Sequence, residues 1–330
     1  MRKRMLALAV AVTAAGITAV TVPPSNAATV TAAPSAATAP ARPPASRIAV
    51  HFDLAKGQMP ENIALGPDGT AYVTFAAARQ VAAVGPAGVT RILATLPAPA
   101  DGGAGTPVLG FALTTGIVRT GDGTLYFLYA GGDAATTGLY RLRPGQEPRR
   151  IAALPAAGLP NGLAYDAPSK TFYLTDSVLG TITTVSLDGG RAEVWSKAPE
   201  LAATTFLGAN GIKVRHGAIW VTNLDRGTLL RIPVEHGRPG PVQVRATGLA
   251  GIDDFAFTAT GGEQVVATLN APNKVVRVDA DGHATTLLTS AAGLQNPTSV
   301  AVRGRTLYVL SAAYTTATDP NLMLATLPRH

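Results

Sequence analysis

Pro160-Asn161-Gly162-Leu163-Ala164-Tyr165-Asp166-Ala167-Pro168-Ser169-Lys170-Thr171-Phe172-Tyr173-Leu174-Thr175-Asp176 reads as one hairpin. A short apolar segment enters, a Pro/Ser/Lys turn reverses it, and a β-branched and aromatic segment returns. The pattern recurs along the chain. Its second strand reappears as Ala71-Tyr72-Val73-Thr74-Phe75, Thr124-Leu125-Tyr126-Phe127, Ala218-Ile219-Trp220-Val221-Thr222, Gln264-Val265-Val266-Ala267-Thr268 and Thr306-Leu307-Tyr308-Val309-Leu310. Turn residues precede these five: Pro67-Asp68-Gly69, Gly121-Asp122-Gly123, His216-Gly217, Gly261-Gly262 and Gly304. Third strands such as Leu139-Tyr140-Arg141-Leu142 follow, and turns such as Asp281-Gly282 lead to a fourth.

The residues heading the six repeats are Glu61, Thr115, Asn161, Asn210, Asp253 and Thr298, at spacings of 54, 46, 49, 43 and 45. Four strands per period of this length mark a β-propeller. No stretch sustains a helical period, which argues against an α/β chain. The last repeat runs out of sequence after three strands, near 299–302, 306–311 and 322–327. Arg47 to Asp53 is a strand with no repeat of its own. Pairing the two removes an exposed edge. The expectation is therefore an all-β fold, a six-bladed β-propeller over 46–330 closed by an N-terminal strand that completes the last blade.

The chain has 330 residues, 47% of them hydrophobic, enough for a large core. Its start does not belong to that core. Arg2, Lys3 and Arg4 precede an apolar run from Met5 to Val20, and Ser25-Asn26-Ala27 offers small residues for cleavage. Residues 1–27 thus read as a secretory signal peptide, and 28–45, rich in Ala, Pro and Thr, as a disordered linker. The expected location is extracellular, with no membrane association after cleavage. The absence of cysteine leaves an exported fold to burial and metal rather than disulfides. Three of the 27 Lys and Arg residues lie in the leader, leaving 24 against 20 acids. No Lys/Arg run forms a nucleic-acid stripe. A small-molecule partner and a monomer are the expectations.

Around one axis, the heading residues become a ring at one mouth of a central channel. Glu61, Asn161, Asn210 and Asp253 then converge as two carboxylates and two amide oxygens. That donor set suits one Ca²⁺, which takes six to eight oxygens and leaves room here for water and substrate. The lack of Cys, and of His in the column, disfavours Zn²⁺. Each residue alone has an ordinary use; Asn161-Gly162 and Asn210-Gly211 also suit plain turns. Their common register is what argues for a ring.

The segments Pro60-Glu61-Asn62-Ile63-Ala64, Pro160-Asn161-Gly162-Leu163-Ala164-Tyr165-Asp166, Ala209-Asn210-Gly211-Ile212 and Gly251-Ile252-Asp253-Asp254-Phe255 carry a family resemblance. The chain from about 47 to 330 resembles the calcium-dependent six-bladed propellers of the senescence marker protein, gluconolactonase and luciferin-regenerating enzyme group, relatives of diisopropylfluorophosphatase. The resemblance implies calcium held by Glu61, Asn161, Asn210 and Asp253. It implies hydrolysis of lactones or phosphoester-type bonds, with calcium polarising the scissile group and Asp253 as general base or nucleophile. Sugar-lactone members often carry an Arg two residues before the blade-three Asn and an Asp after it. Here those positions are Leu159 and Gly162.

Asp254 follows the ligand column and by strand alternation should point away from the axis, in a supporting role. Asp176 and Asp225 end second strands on the ligand face, as candidate substrate contacts or turn caps. His51, His216, His236 and His283 lie on the closing strand or beside turns, with no Ser or Cys nucleophile at a telling spacing. Three functions fit. The first is a secreted calcium-dependent hydrolase of small lactone- or ester-like substrates. The second is a non-catalytic extracellular propeller that binds a ligand or polymer. The third is a metal-free lyase or synthase of the strictosidine synthase type.

Overall fold

The computed structural model describes residues 44–258 and 262–328, so the expected leader and nearly all of the linker lie outside it. The described chain forms six antiparallel sheets of a β-propeller. The inner strands are Pro60–Leu65, Leu113–Arg119, Pro160–Asp166, Ala209–Arg215, Ile252–Phe257 and Pro297–Arg303. Each pairs with the next strand in sequence, and two further strands outward complete most blades. The sixth blade takes its outer strand from the other end of the chain. Ser46–His51 pairs with Asn321–Thr326, with Arg47 opposite Leu324 and His51 opposite Asn321. The fourth blade adds a two-residue strand, Arg238–Pro239, on its long third strand.

A blade is covered on both faces by its neighbours, so its middle strands need not alternate polar with apolar. Leu125–Ala130 is buried at every position. Six apolar clusters fill the gaps between blades, each shared by adjacent sheets. Trp220 of blade four meets Phe255 and Val265 of blade five in one. Val73 and Phe75 of blade one meet Leu310 and Leu322 of blade six in another, across the closure. No helix among the described residues is long and apolar enough to cross a membrane.

Candidate metal centre

The heading residues occupy a repeated irregularity. Pairing between inner and second strand jumps from Pro60 to Asn62, Thr114 to Ile117, Pro160 to Leu163, Ala209 to Ile212, Ile252 to Phe255 and Pro297 to Ser299. In each blade two inner residues stand opposite one partner, which is a β-bulge. A bulge breaks the alternation that otherwise sends successive side chains to opposite faces. Glu61, Asn161, Asn210 and Asp253 are the first bulge residues of blades one, three, four and five, and all four are buried.

One hydroxyl crosses each of the six blade interfaces at this level. Thr74 donates to the carbonyl of Thr115 (2.7 Å), Thr175 to Asn210, Thr222 to Asp253 (2.6 Å) and Thr268 to Thr298 (2.9 Å). These donors sit on second strands, opposite the bulges. Blades two and six have Leu128 and Leu310 there. In those blades the bulge residue itself makes the crossing: Thr115 donates to Pro160 (2.8 Å) and Thr298 to Pro60 (2.9 Å). The two threonines in the column are therefore blade fasteners, and at the other four positions the column side chain is not used for the crossing.

The second bulge residue also faces inward, which corrects the expectation for Asp254. Its carboxylate reaches Lys213 Nζ on blade four (2.6 Å), Ser299 Oγ on blade six (2.6 Å) and Asn62 Nδ2 on blade one (3.2 Å). Only a side chain in the channel can meet all three. In blades three and four the equivalent residue is glycine. A Cβ at Gly162 would lie 2.3 Å from the Asn210 carbonyl oxygen, and one at Gly211 2.5 Å from Asp254 Oδ1. The backbones approach too closely for a side chain, so no acid can replace Gly162 without moving blade four.

Around the ring, Glu61 Oε2 accepts from the Tyr314 hydroxyl at 2.6 Å, and Asp253 Oδ2 accepts from Asn270 Nδ2 at 3.1 Å. Burial pushes Glu61 up to about 7, against the Tyr314 hydrogen bond and with help from the negative charge of Asp254. Asp253 is raised well above its usual range, first by burial and then by the charges of Glu61 and Asp254. The hydrogen bonds from Asn270 and Asn210 oppose that rise. Burial and the nearby charge of Glu61 likewise keep Tyr314 protonated. Asp254 has a lysine as counter-ion; Glu61 and Asp253 have none among the described residues. The Asn161 amide, 6% exposed, makes no hydrogen bond there either. Two uncompensated carboxylates and a free amide at the same bulge position of three blades are a donor set of the kind a hard divalent cation takes. No three His, Cys, Asp or Glu side chains among the described residues form a metal cluster, so any such site depends on the amides.

The remaining candidates have structural work. Asp176 Oδ1 accepts from the backbone amides of Leu159 (3.0 Å), Val178 (3.0 Å) and Leu179 (2.8 Å). Burial still raises its pKa, those hydrogen bonds notwithstanding. Asp225 gathers the amides of Thr204, Thr205, Phe206 and Leu207. Burial acts to raise it, but the four amides together leave it lowered. Both are loop caps. No histidine among the described residues lies in the ring; His51 sits on the outermost strand against Asp319. Tyr314, Asn270 and Lys213 escape sequence reasoning. Tyr314 is 253 positions from its partner Glu61, and only ring closure brings them together.

No protein-family model matches the chain, and no curated protein matches it. Solved structures share the architecture. Regucalcin of Agrobacterium tumefaciens, described as a calcium-binding protein, superposes with a TM-score of 0.63 at 18% identity, covering 86% of this chain and 94% of that one. A gluconolactonase of Xanthomonas campestris gives 0.61 at 14% identity, with 87% and 95% covered. Virginiamycin B lyase of Staphylococcus aureus, as a catalytically inactive histidine-to-alanine variant, gives 0.59 at 16% identity, with 83% and 82% covered. At these identities the likeness is one of fold.

Proposed function

We propose that this chain is a calcium-dependent hydrolase of small lactone- or ester-like substrates, of the gluconolactonase-like group, with its active centre at the bulge ring. The observation that carries the reading is the pair of buried carboxylates, Glu61 and Asp253, with no counter-ion beside the unpaired amide of Asn161. Glu61, Asn161, Asn210 and Asp253 would hold the ion. Bound there, calcium supplies a Lewis acid that polarises the substrate carbonyl. Asp253, oriented by Asn270, takes the proton from the attacking water. Tyr314 fixes the Glu61 carboxylate by its hydrogen bond. Leu159, Leu113, Met59, Phe111 and Val178 form an apolar cluster on the same face, and Leu179 and Phe206 are exposed on its loops. With Leu159 and Gly162 where sugar-lactone enzymes place charges, that rim favours an apolar lactone or ester over a sugar acid.

The residue Asp253 is the base, the ion is single, and the protein is an exported monomer in this reading. A lyase dependent on histidine is disfavoured by the absence of histidine from the ring among the described residues. The test is calcium titration calorimetry on chelator-stripped protein, residues 46–330, beside Asp253→Ala, followed by a screen of aliphatic lactones and aryl esters. One-site binding abolished by the substitution, with calcium-dependent turnover, is the expected result. Calcium binding without turnover of any ester would leave the non-catalytic propeller as the function. No calcium binding to the unsubstituted protein refutes the metal centre.

A further inference from the structure

Glu61 and Asp253 lie on blades one and five, and the loops that hold their carboxylates are tied to each other along the rim. On blade five, Asp253 Oδ2 accepts from Asn270 Nδ2 (3.1 Å). Asn270 opens a turn that the Asn273 amide closes on its carbonyl (3.1 Å). Asn273 Oδ1 in turn accepts from the backbone amide of Asn296 at 2.5 Å. Asn296 immediately precedes the inner strand of blade six. Its own Oδ1 accepts three times, from the Thr315 amide (2.9 Å), the Thr315 hydroxyl (3.0 Å) and the Thr316 amide (3.1 Å). Next to Thr315 is Tyr314, whose hydroxyl reaches Glu61 at 2.6 Å. A path of hydrogen bonds and short turns thus joins one acid to the other through blade six.

Asn296 is the node of this path. It is 1% exposed, and its φ of 54° is left-handed although it precedes Pro297. A residue before proline favours extended backbone, and a left-handed non-glycine residue costs free energy that its surroundings must supply. Met59 and Leu159 precede the prolines heading the inner strands of blades one and three, and neither has a positive φ. The conformation therefore belongs to blade six and is not imposed by the proline. In it, the Asn296 amide serves blade five while the carboxamide oxygen serves the Tyr314 loop. Asn273 (φ 53°) and the buried Ala313 (φ 57°) are left-handed too, so each of the three loops carries such a residue. Beneath the ring the same blades meet again, where Asp254 accepts from Ser299 and Asn62. Blades two, three and four have Gly116, Gly162 and Gly211 at that level.

We propose that Asn296 is a positioning residue that couples the Glu61 and Asp253 carboxylates, so that the two acids are presented to the ion as one unit. This rests on reading the bulge ring as a metal centre. Residues that orient metal ligands are worth about 10–100-fold in affinity.

The test compares Asn296→Gly, which permits the left-handed backbone but removes the acceptor, with Asn296→Asp, which keeps an acceptor and tolerates the same φ. Calcium titrated calorimetrically into the full chain should bind the Gly variant about tenfold or more weakly, and the Asp variant within about threefold of the unsubstituted protein. The Asn296 side chain acts through Tyr314. Adding Asn296→Gly to Tyr314→Phe should therefore weaken calcium by no more than about a further twofold. A Gly variant with unchanged calcium affinity, an Asp variant as weak as the Gly one, or losses that multiply in the double variant would overturn the coupling. Urea melts of the same cycle in chelator read it without the ion. There the two substitutions should alter the unfolding constant non-additively, by about twofold or more. If the unsubstituted protein binds no calcium, the metal reading fails by itself and the melts decide alone. Coupled effects then retain Asn296 as the link between the two acids, and strictly multiplicative ones refute it.

Discussion

Blades one, three, four and five differ from blades two and six at a single pair of positions, and the difference decides which residue fastens the neighbouring blade. In the four, a second-strand threonine (Thr74, Thr175, Thr222 or Thr268) fastens the next blade, and the opposing bulge carries Glu61, Asn161, Asn210 or Asp253. In the two, leucine replaces that threonine, and the bulge residue, Thr115 or Thr298, becomes the fastener. A buried carbonyl at every interface needs a donor, and leaving one unpaired is expensive. Four blades send a hydroxyl from the second strand to the next column residue's own carbonyl, and two send it from the column residue to the carbonyl of the proline before the next column residue. Where the second strand supplies the hydroxyl, the column residue is free to become a ligand. The proposed division into four ligand positions and two fasteners thus parallels which strand supplies the hydroxyl at each interface.

The largest effect that can break this comparison is a crossed pair of substitutions. Asp253→Asn should lower the calcium-dependent rate by about 10²–10⁴-fold, the usual range for a general base, while the fold keeps its melting temperature. Thr298→Val should do the reverse, keeping calcium affinity and lowering the melting temperature. Steady-state kinetics and calorimetric melting on both variants check it. If Thr298→Val abolishes metal binding while leaving stability intact, the column has not been divided correctly.

The free acids of the ring give a second contrast, in pH. Burial raises Glu61 from 4.5 to about 7 and raises Asp253 as well, so between those limits the metal-free folded protein holds more protons than the unfolded chain. By linkage its stability is full below about 4.5 and declines as pH rises through about 7. The melting temperature of chelated protein should therefore fall from pH 5 to pH 8, and saturating calcium should remove most of the decline by favouring the ionised forms. The Thr115 and Thr298 hydroxyls themselves do not titrate and should contribute nothing to it. A chelated protein whose stability climbs over that interval contradicts the burial of these acids.

Much of this was legible in the sequence because it depends on period. The repeat length, the turn residues and the unpaired strand at 47–53 predict six blades and their closure, and the closure is as expected. The common register of Glu61, Asn161, Asn210 and Asp253 placed them on one level, which the bulges show. What alternation got wrong was Asp254, because a bulge puts two successive residues on one side and nothing in Asp253-Asp254 announces it. Asp176 and Asp225 were visible as acids on the right face, but their use is decided by backbone amides whose direction depends on loop conformation. Tyr314 and Lys213 were out of reach for a different reason. Their partners lie on other blades, and no spacing along the chain encodes that contact.

Smaller effects separate the fasteners from one another. Thr175→Val removes the donor to Asn210 and the acceptor for the Gly162 amide (2.8 Å), and leaving such groups unpaired should destabilise by about 1–3 kcal/mol. Because Thr175 also holds the backbone of Asn210, a proposed ligand, calcium affinity should drop with it. Thr115→Val loses one donor, to Pro160, and should destabilise by about 1 kcal/mol. Urea melts at fixed calcium would show both losses, and equal losses in metal affinity from the two would mean that the ring is not positioned interface by interface.

The finest test moves a fastener from one position to the other. Thr115→Asn removes the blade-two donor and presents a further amide at the ring. Leu128→Thr places a hydroxyl opposite that bulge, where Thr175 and Thr222 stand in blades three and four. Alone, each should destabilise: the first by an unpaired carbonyl, the second by a cavity in the apolar cluster that Leu128 shares with Phe172 and Leu163. Together they should cost less than their sum by about 0.5–1 kcal/mol, because the new threonine can restore a hydroxyl across that interface, to the Asn161 carbonyl, as second-strand threonines do in the other blades. The double variant should also bind calcium more tightly than the single Leu128→Thr, since the ring has gained an oxygen. Strict additivity in a double-mutant cycle of urea melts would show that the second-strand threonine and the column residue are independent, and the division of labour between blades would then have another cause.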